Sequence, residues 1–539
     1  MHNKIDIKLG FKNYKRFKDF PLIEIKPITM LVGTNSSGKS TFIKALLLLV
    51  YNLKTSIDSC GKTPPTPLIN NITFFFQTIT RLDLGDFETS IHKEFDVYGN
   101  PVIPHSNHIE FAIEIENTLI ELSFGNSNDD SLTSASPGLT YPVKSLRITD
   151  VLKGTSICYD MTSSDVKVYA TVAPSCLLGW LVDKNHYLQE RINNRNSKID
   201  RREFLQKYGT YERSDYYFNY RPTDSLESQI ESNTKVMSKL ESANVDKLQA
   251  DLLCKDVTDD MFYALKTYIY HWYANLHDTL FQYIIPSIKP IYVEAHQASH
   301  DIALSLKDKN NFLAQTAAEY YSVLPTVKSG ERSLEIQRWI CKWLKEFKIG
   351  KGFEISLHHG GEILNIDIVV GNDSIPPRLT RMPLGTYGTG SIQLVILLLK
   401  IACTLCRMTN EVSPVNGKYI IIAEEPEQNL HPSLQSKLAD LFNEVFIMTE
   451  GRVNFIVETH SEYLIRRSQV IVAQNNYTEE QLDTENPFKV YYFPEDGVPY
   501  DMKYLTSGRF DNKFGNGFFD ESANSALTIS KLERKKANV

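Results

Sequence analysis

The sequence predicts an α/β fold with a mostly parallel sheet, an antiparallel β subdomain and a helical insertion. Three patterns predict it. Residues 22–51 read as strand, glycine-rich loop and helix. Residues 391–471 alternate helix and strand, the rhythm of the βαβ units that build parallel sheets. In between, residues 108–172 alternate apolar and polar positions, and 226–252 place apolar residues at near-helical spacing.

The stretch 22–32, LIEIKPITMLV, reads as a strand punctuated by Pro27, and the helical pattern TFIKALLLLVYNL follows the loop. Pro64, Pro65 and Pro67 mark a long connection. HIEFAIEIENTLIELS at 108–123 is a hairpin turning at Glu116-Asn117. A polar loop covers 126–139, and strand-like alternation returns over 144–172. From 176 to 287 the pattern turns helical. Leu226, Ile230, Val236, Leu240, Val245, Leu248 and Leu252 recur among charges, and the aromatic-rich Phe262–Tyr283 suits a helix. That insertion is too short for a long coiled-coil arm. A strand at 289–294, a helix at 332–347 and a hairpin at 353–370 turning at Gly360-Gly361 lead into the alternating region. There the sequence predicts helix 391–406, strand 418–423, helix 432–447, strand 453–458 and helix 461–471. The expected domains are 1–175, 176–287 and 288–539.

Composition excludes several classes. With 42% hydrophobic and 23% charged residues over 539 positions, the chain is neither disordered nor fibrous. Its net charge of −7 gives no global attraction to nucleic acid, so any such contact needs a local patch. Arg191, Arg195, Lys198, Arg201 and Arg202 supply one candidate, most of them on a single helical face. That face reads first as solvated surface, then as a phosphate contact, then as a partner contact. Seven scattered cysteines form no disulfide framework and suit a reducing compartment. Cys403 and Cys406 have CxxC spacing without a second pair, inside an apolar run, and read as buried helix residues. The charged N-terminus has no apolar leader core. Ala45–Tyr51 is too short to cross a bilayer, and Lys400 interrupts Ser391–Cys406. No membrane association and a cytoplasmic location are expected.

Four motifs carry chemistry. Gly33-Thr34-Asn35-Ser36-Ser37-Gly38-Lys39-Ser40, followed by Thr41, matches GxxxxGK[ST] between a strand and a helix. Backbone N–H groups of such a loop wrap phosphates, and the helix N-terminus adds positive potential. Lys39 offsets β- and γ-phosphate charge, and the Ser40 hydroxyl ligates Mg²⁺. The apolar strand Tyr419–Ala423 ends in Glu424-Glu425. Successive strand residues face opposite ways, which gives the two acids different tasks. Glu424 is placed to hold Mg²⁺ through water, and Glu425 to polarise an attacking water. A second apolar strand ends in Glu458-Thr459-His460-Ser461, where His460 can sense a γ-phosphate. Finally, Gly388, Gly390, Ser391 and Gln393 open the helix 391–406, a weaker anion-binding pattern.

In this order the motifs resemble the split ATPase head of the SMC-like branch of ABC-type ATPases. That resemblance covers about residues 1–90 and 380–525, with Lys39 and Glu424 separated by 385 positions. It implies a P-loop ATPase head using ATP and Mg²⁺. Gly388, Gly390, Ser391 and Gln393 match its signature loop, Asn429, Leu430 and His431 its D-loop, and His460 its His switch. Two departures stand out: the signature is not LSGGQ, and Glu424 replaces the usual Asp. Gln77 is a weak candidate for the metal-side glutamine loop. The stretch EEPEQNLHPSLQSKLADLF and the tail Phe514–Glu521 resemble the overcoming-lysogenisation-defect and PtuA ATPases of Septu-type and retron-linked antiphage systems. This implies a dimer around ATP that controls a separately encoded nuclease or other effector. An SMC-like DNA repair ATPase and a nucleotide-loaded scaffold restraining a toxic effector remain alternatives. No nuclease motif is recognised: no acidic cluster followed by DxD comes after His460, and no HNH-type cluster occurs.

Overall fold

The computed structural model describes residues 6–58, 73–75, 87–95, 101–102, 108–125, 140–162, 167–193, 226–242, 246–251, 260–279, 284–295, 298–327, 330–371, 379–410, 418–515 and 518–537. The chain forms two compact units. One is built around Ile25–Ile43 and Ser287–Val539, the other around Ile5–Glu24 and Lys44–Pro286.

The first unit holds the parallel sheet. Its strands and helices are β1 (Ile28–Gly33), α1 (Lys39–Asp58, which begins here), β2 (Ile288–Val293), α2 (Thr389–Asn410), β3 (Lys418–Glu424), α3 (Pro432–Met448), β4 (Val453–Thr459), α4 (Glu462–Asn475), β5 (Phe488–Phe493) and β6 (Tyr500–Asp501). The sheet order is β2-β3-β4-β1-β5-β6, with the first five strands parallel and β6 antiparallel at the edge. All of β4 and all of β3 except Glu424 are buried, as central strands covered on both faces require. The register sets Glu424 of β3 beside Glu458 of β4, Thr459 beside Val32, and Phe493 of β5 beside Gly33. Four strands therefore bring their carboxyl ends to one edge, where ligands bind in open α/β sheets.

Helix α2 lies in the core of this unit. Its span Thr389–Thr409 is long and apolar enough to cross a membrane, yet 83% of its most apolar window is buried inside the fold. Cys403 and Cys406 sit buried in it, as their apolar context predicts. Burial pushes both thiols up, Cys406 to about 11, which keeps them protonated at neutral pH. A separate antiparallel sheet joins Leu304–Ser305, Gly352–His358, Ile363–Gly371 and Leu379–Pro383, with the expected turn at His359–Gly361.

In the second unit, nine strands among the described residues form one sheet. In spatial order they are Leu248–Asp251, Lys167–Val172, Thr155–Asp160, Thr140–Asp150, Thr118–Gly125, His108–Ile115, Ile7–Tyr14 and Phe17–Ile25, with Thr73–Phe75 also paired to Thr140–Asp150. Helices Pro174–Asn193, Leu226–Ser242 and Asp260–Thr279 belong to the same unit.

Two local expectations change. Residues 22–32 are two strands, Phe17–Ile25 and Ile28–Gly33, in different sheets. Pro27 has no N–H to give a ladder, and its carbonyl instead accepts from Phe455 N–H at 2.7 Å. Leu248, read as helical, lies in a four-residue strand where it pairs with Val172. Val245 and Leu252 lie outside the described residues.

Candidate active site

The phosphate loop leaves β1 at Gly33 and enters α1 at Lys39. A Cβ on Gly33 would come within 2.3 Å of the Phe493 carbonyl oxygen, so β5 admits only glycine there. Ser36 carries the turn at φ 60°. The first turn of α1 holds no acidic side chain, which leaves its N-terminal potential available to an anion. The Thr34 and Ser37 hydroxyl oxygens are buried without a hydrogen-bond partner. Such orphaned donors around a helix N-terminus fit phosphate oxygens.

Lys39 is buried and curls back over this loop. Its Nζ donates to the Thr34 carbonyl at 2.8 Å and the Gly33 carbonyl at 3.2 Å, and lies 3.7 Å from Glu458 Oε1. Burial pulls the ammonium below its ordinary value, and Glu458 opposes that. Ser40 Oγ donates to Glu458 Oε2 at 2.9 Å and lies 3.2 Å from Oε1. Burial pushes the Glu458 carboxyl up to about 7, with Lys39 holding it lower than burial alone would. Thr41, at the end of the motif, is buried.

The two acids part where the strand ends, because Glu424 is the last residue of β3 and Glu425 lies beyond it. Glu424 ends β3 and takes a hydrogen bond from the Tyr292 hydroxyl of neighbouring β2. Glu425 leaves the strand at φ 42°, and its N–H donates to the Glu458 carbonyl at 2.8 Å. Its carboxylate accepts from Gln428 Nε2 at 3.3 Å and stands 3.8 Å from His460 Nε2. Burial and Lys39 lower the His460 pKa from its ordinary 6.5 while Glu425 opposes them, which favours the neutral imidazole. Behind this pair lies buried Glu427. Its Oε1 accepts from Thr459 Oγ1 at 2.6 Å and from His460 N–H at 2.7 Å. One carboxylate therefore ties the acid turn to the end of β4.

The signature segment joins the same cluster in its own chain. A Cβ on Gly390 would meet the Asn429 carbonyl oxygen at 2.5 Å, so the start of α2 rests on the Asn429 turn, where φ is 60°. Gln393 is buried and donates to the Glu425 carbonyl at 3.3 Å. Gly388 is exposed and Ser391 half-buried. The His300 ring bridges the Gly385 carbonyl at 3.1 Å and Thr389 Oγ1 at 3.2 Å, bracing this loop. His431 caps α3, and Ser461 caps α4.

Sequence reasoning missed Glu458, Glu427, Tyr292 and His300. For Glu458 the signal was its place one residue from the end of an apolar strand. Gln77, Arg195, Lys198, Arg201 and Arg202 lie outside the described residues. Arg191 lies in the helix Pro174–Asn193. Among the described residues, no three His, Cys, Asp or Glu side chains form a cluster able to hold a metal alone. A Mg²⁺ that relies on nucleotide phosphates needs only Ser40 and one or two carboxylates, and those are together here.

A family profile described as AAA ATPase domain matches residues 4–465. No curated protein matches the chain significantly. Among solved structures, an SMC head bound to the C-terminal winged-helix domain of ScpA aligns at 10% identity and TM-score 0.31, covering 92% of this chain and 97% of that one. The SMC head domain from Thermotoga maritima aligns at 13% identity and TM-score 0.29, covering 92% and 98%. The chain's own strand order and the family match establish the α/β P-loop ATPase fold.

Proposed function

The chain belongs to the AAA ATPase domain family, and from that premise we propose that it binds ATP with Mg²⁺ and hydrolyses it at the edge of the parallel sheet. The observation that carries this reading is the convergence of the phosphate loop, Glu424, Glu425, Glu458 and His460 at the carboxyl ends of β1, β3 and β4. Lys39 exchanges its loop carbonyls for β- and γ-phosphate oxygens. Thr34 and Ser37 donate their unpartnered hydroxyls to the same phosphates. Ser40, with Glu424 and Glu458 beside it, would hold Mg²⁺, which supplies charge neutralisation on the phosphate oxygens when bound. Glu425 orients a water and accepts its proton as the water oxygen bonds to the γ-phosphorus and the bond to the ADP oxygen breaks. Neutral His460 donates a hydrogen bond toward the γ-phosphate.

The finer reading concerns assembly and purpose. Gly388 and Ser391, at the accessible start of α2, serve the ATP held by a second copy's phosphate loop. The segment 176–287, between the lobes 1–175 and 288–539, offers a docking surface for a separately encoded effector. The likeness of EEPEQNLHPSLQSKLADLF to the overcoming-lysogenisation-defect and PtuA ATPases supports an antiphage role. The five described cysteines are all free thiols, which suits the cytoplasm.

Two variants test the chemistry. Lys39→Ala is expected to abolish ATP binding. Glu425→Gln is expected to keep ATP bound while turnover falls by ~10²–10⁴. Unchanged binding and turnover in Lys39→Ala overturns the phosphate-loop assignment. Normal turnover in Glu425→Gln, with Glu424→Gln losing only hydrolysis, swaps the two acid roles.

A further inference from the structure

We propose that Glu458, rather than Glu424, is the principal carboxylate that holds the nucleotide's divalent cation through Ser40. This deepens the ATPase reading and rests on it. Sequence order points to Glu424, the acid that ends the strand nearest in pattern to a metal-binding carboxylate. Side-chain geometry points elsewhere. The Ser40 hydroxyl bonds Glu458, at 2.9 Å to one oxygen and 3.2 Å to the other. The same carboxylate lies 3.7 Å from Lys39 Nζ, so it stands beside both phosphate-loop side chains at once. Glu424 is engaged on its other side by the Tyr292 hydroxyl from β2.

Strand order explains the difference. The sheet runs β2-β3-β4-β1, so β4 is the immediate neighbour of the strand that feeds the phosphate loop, and β3 is one strand further away. Glu458 pairs in register with Leu31 of β1 on one side and with Glu424 on the other. Register partners on adjacent parallel strands project to the same face. The two carboxylates therefore share that face, with Glu458 nearer Ser40. Their mutual repulsion in a buried setting is relieved by a divalent cation. Glu424 then acts on the cation from behind Glu458, through water.

A rival role for Glu458 is a latch that merely holds Lys39 and Ser40 while the loop is empty. The two roles separate in metal dependence. A fluorescent N-methylanthraniloyl ATP is titrated into the full-length protein in EDTA and at rising Mg²⁺. Mn²⁺ bound with ATP is followed in parallel by electron paramagnetic resonance. Glu458→Gln keeps the side-chain shape and an oxygen for the Ser40 hydroxyl. Its binding in EDTA supplies the baseline for the metal effect, and circular dichroism reports the fold. Its gain in affinity from Mg²⁺ is expected to shrink by about 10–100-fold, with a matching loss of bound Mn²⁺ signal. Glu424→Gln is expected to lose a smaller part of that gain. A Glu458→Gln variant that keeps the full Mg²⁺ gain, or binds tighter in EDTA with the gain unchanged, overturns the inference and leaves the latch. A larger loss in Glu424→Gln returns the role to Glu424. Wild-type protein that binds no nucleotide under either condition overturns the ATPase reading itself.

Discussion

At the scale of single residues, the site depends on carboxylates whose surroundings differ although they are neighbours in sequence. Glu425 is half-exposed and faces His460, whereas Glu427, two residues on, is buried among Thr459, the His460 N–H and the acid turn. Burial raises the Glu427 pKa above its ordinary 4.5, against the hydrogen bonds that favour its charged form. The sign follows from linkage. A folded-state value above the unfolded one means that the native state holds the proton more tightly. That stabilisation is complete below about 4.5 and is lost as pH rises through the folded value. Glutamine cannot titrate and still presents an oxygen to both donors. The melting temperature of Glu427→Gln relative to wild type is therefore expected to climb as pH rises above about 4.5. A difference that stays flat across that range, followed by thermal unfolding, means that Glu427 keeps an ordinary pKa.

At the scale of elements, the clearest constraint is the seat of α2 on the Asn429 turn. A methyl group at Gly390 would lie 2.5 Å from a backbone oxygen, and backbone yields less readily than a side chain. Gly390→Ala is expected to destabilise the protein by about 1–3 kcal/mol in urea unfolding. A variant as stable as wild type shows that the turn gives way freely. This seat was invisible in the sequence, where Gly388, Gly390 and Ser391 read as an anion-binding turn and as the match to a signature loop. The strands were legible for a physical reason. Tyr419–Ala423 and Phe455–Val457 are buried on both faces, so they show as unbroken apolar runs with polar groups at the functional end. The pairing of Ser40 with Glu458 was not legible, because it depends on β4 lying beside β1 across 418 positions of sequence. Glu427 carried no signal of its own, because nothing in EEPEQ tells which acid turns inward to Thr459. Leu248 passed for a helix residue because a four-residue strand is too short to display alternation.

At the scale of the whole molecule, the outstanding question is whether one chain completes its own ATP site. The proposed arrangement gives each nucleotide one phosphate loop and the signature loop of another copy, which places two sites in a symmetric pair. Gly388 is exposed and Ser391 half-buried, which leaves both positions accessible to a second copy. Gln393 and Gly390 instead face inward, to Glu425 and Asn429, so the start of α2 is tied to Glu425, the proposed catalytic acid, of its own chain. Closure of one site would then bear on the acid that serves the other. Ser391→Arg places a bulky cation where the second copy's nucleotide would sit, while its own phosphate loop stays intact. It is expected to bind ATP weakly and to lose hydrolysis, as Lys39→Ala does for the opposite reason. Mixing the two inactive proteins creates pairs with one site made of two intact halves. At equal amounts with random pairing, about a quarter of the wild-type rate should return. No recovery, with ATP still driving the mixture to a dimer on a sizing column, means that both sites must fire together. A chain that stays monomeric with bound ATP at high concentration and hydrolyses it at full rate removes the shared site, and with it the role given to Ser391.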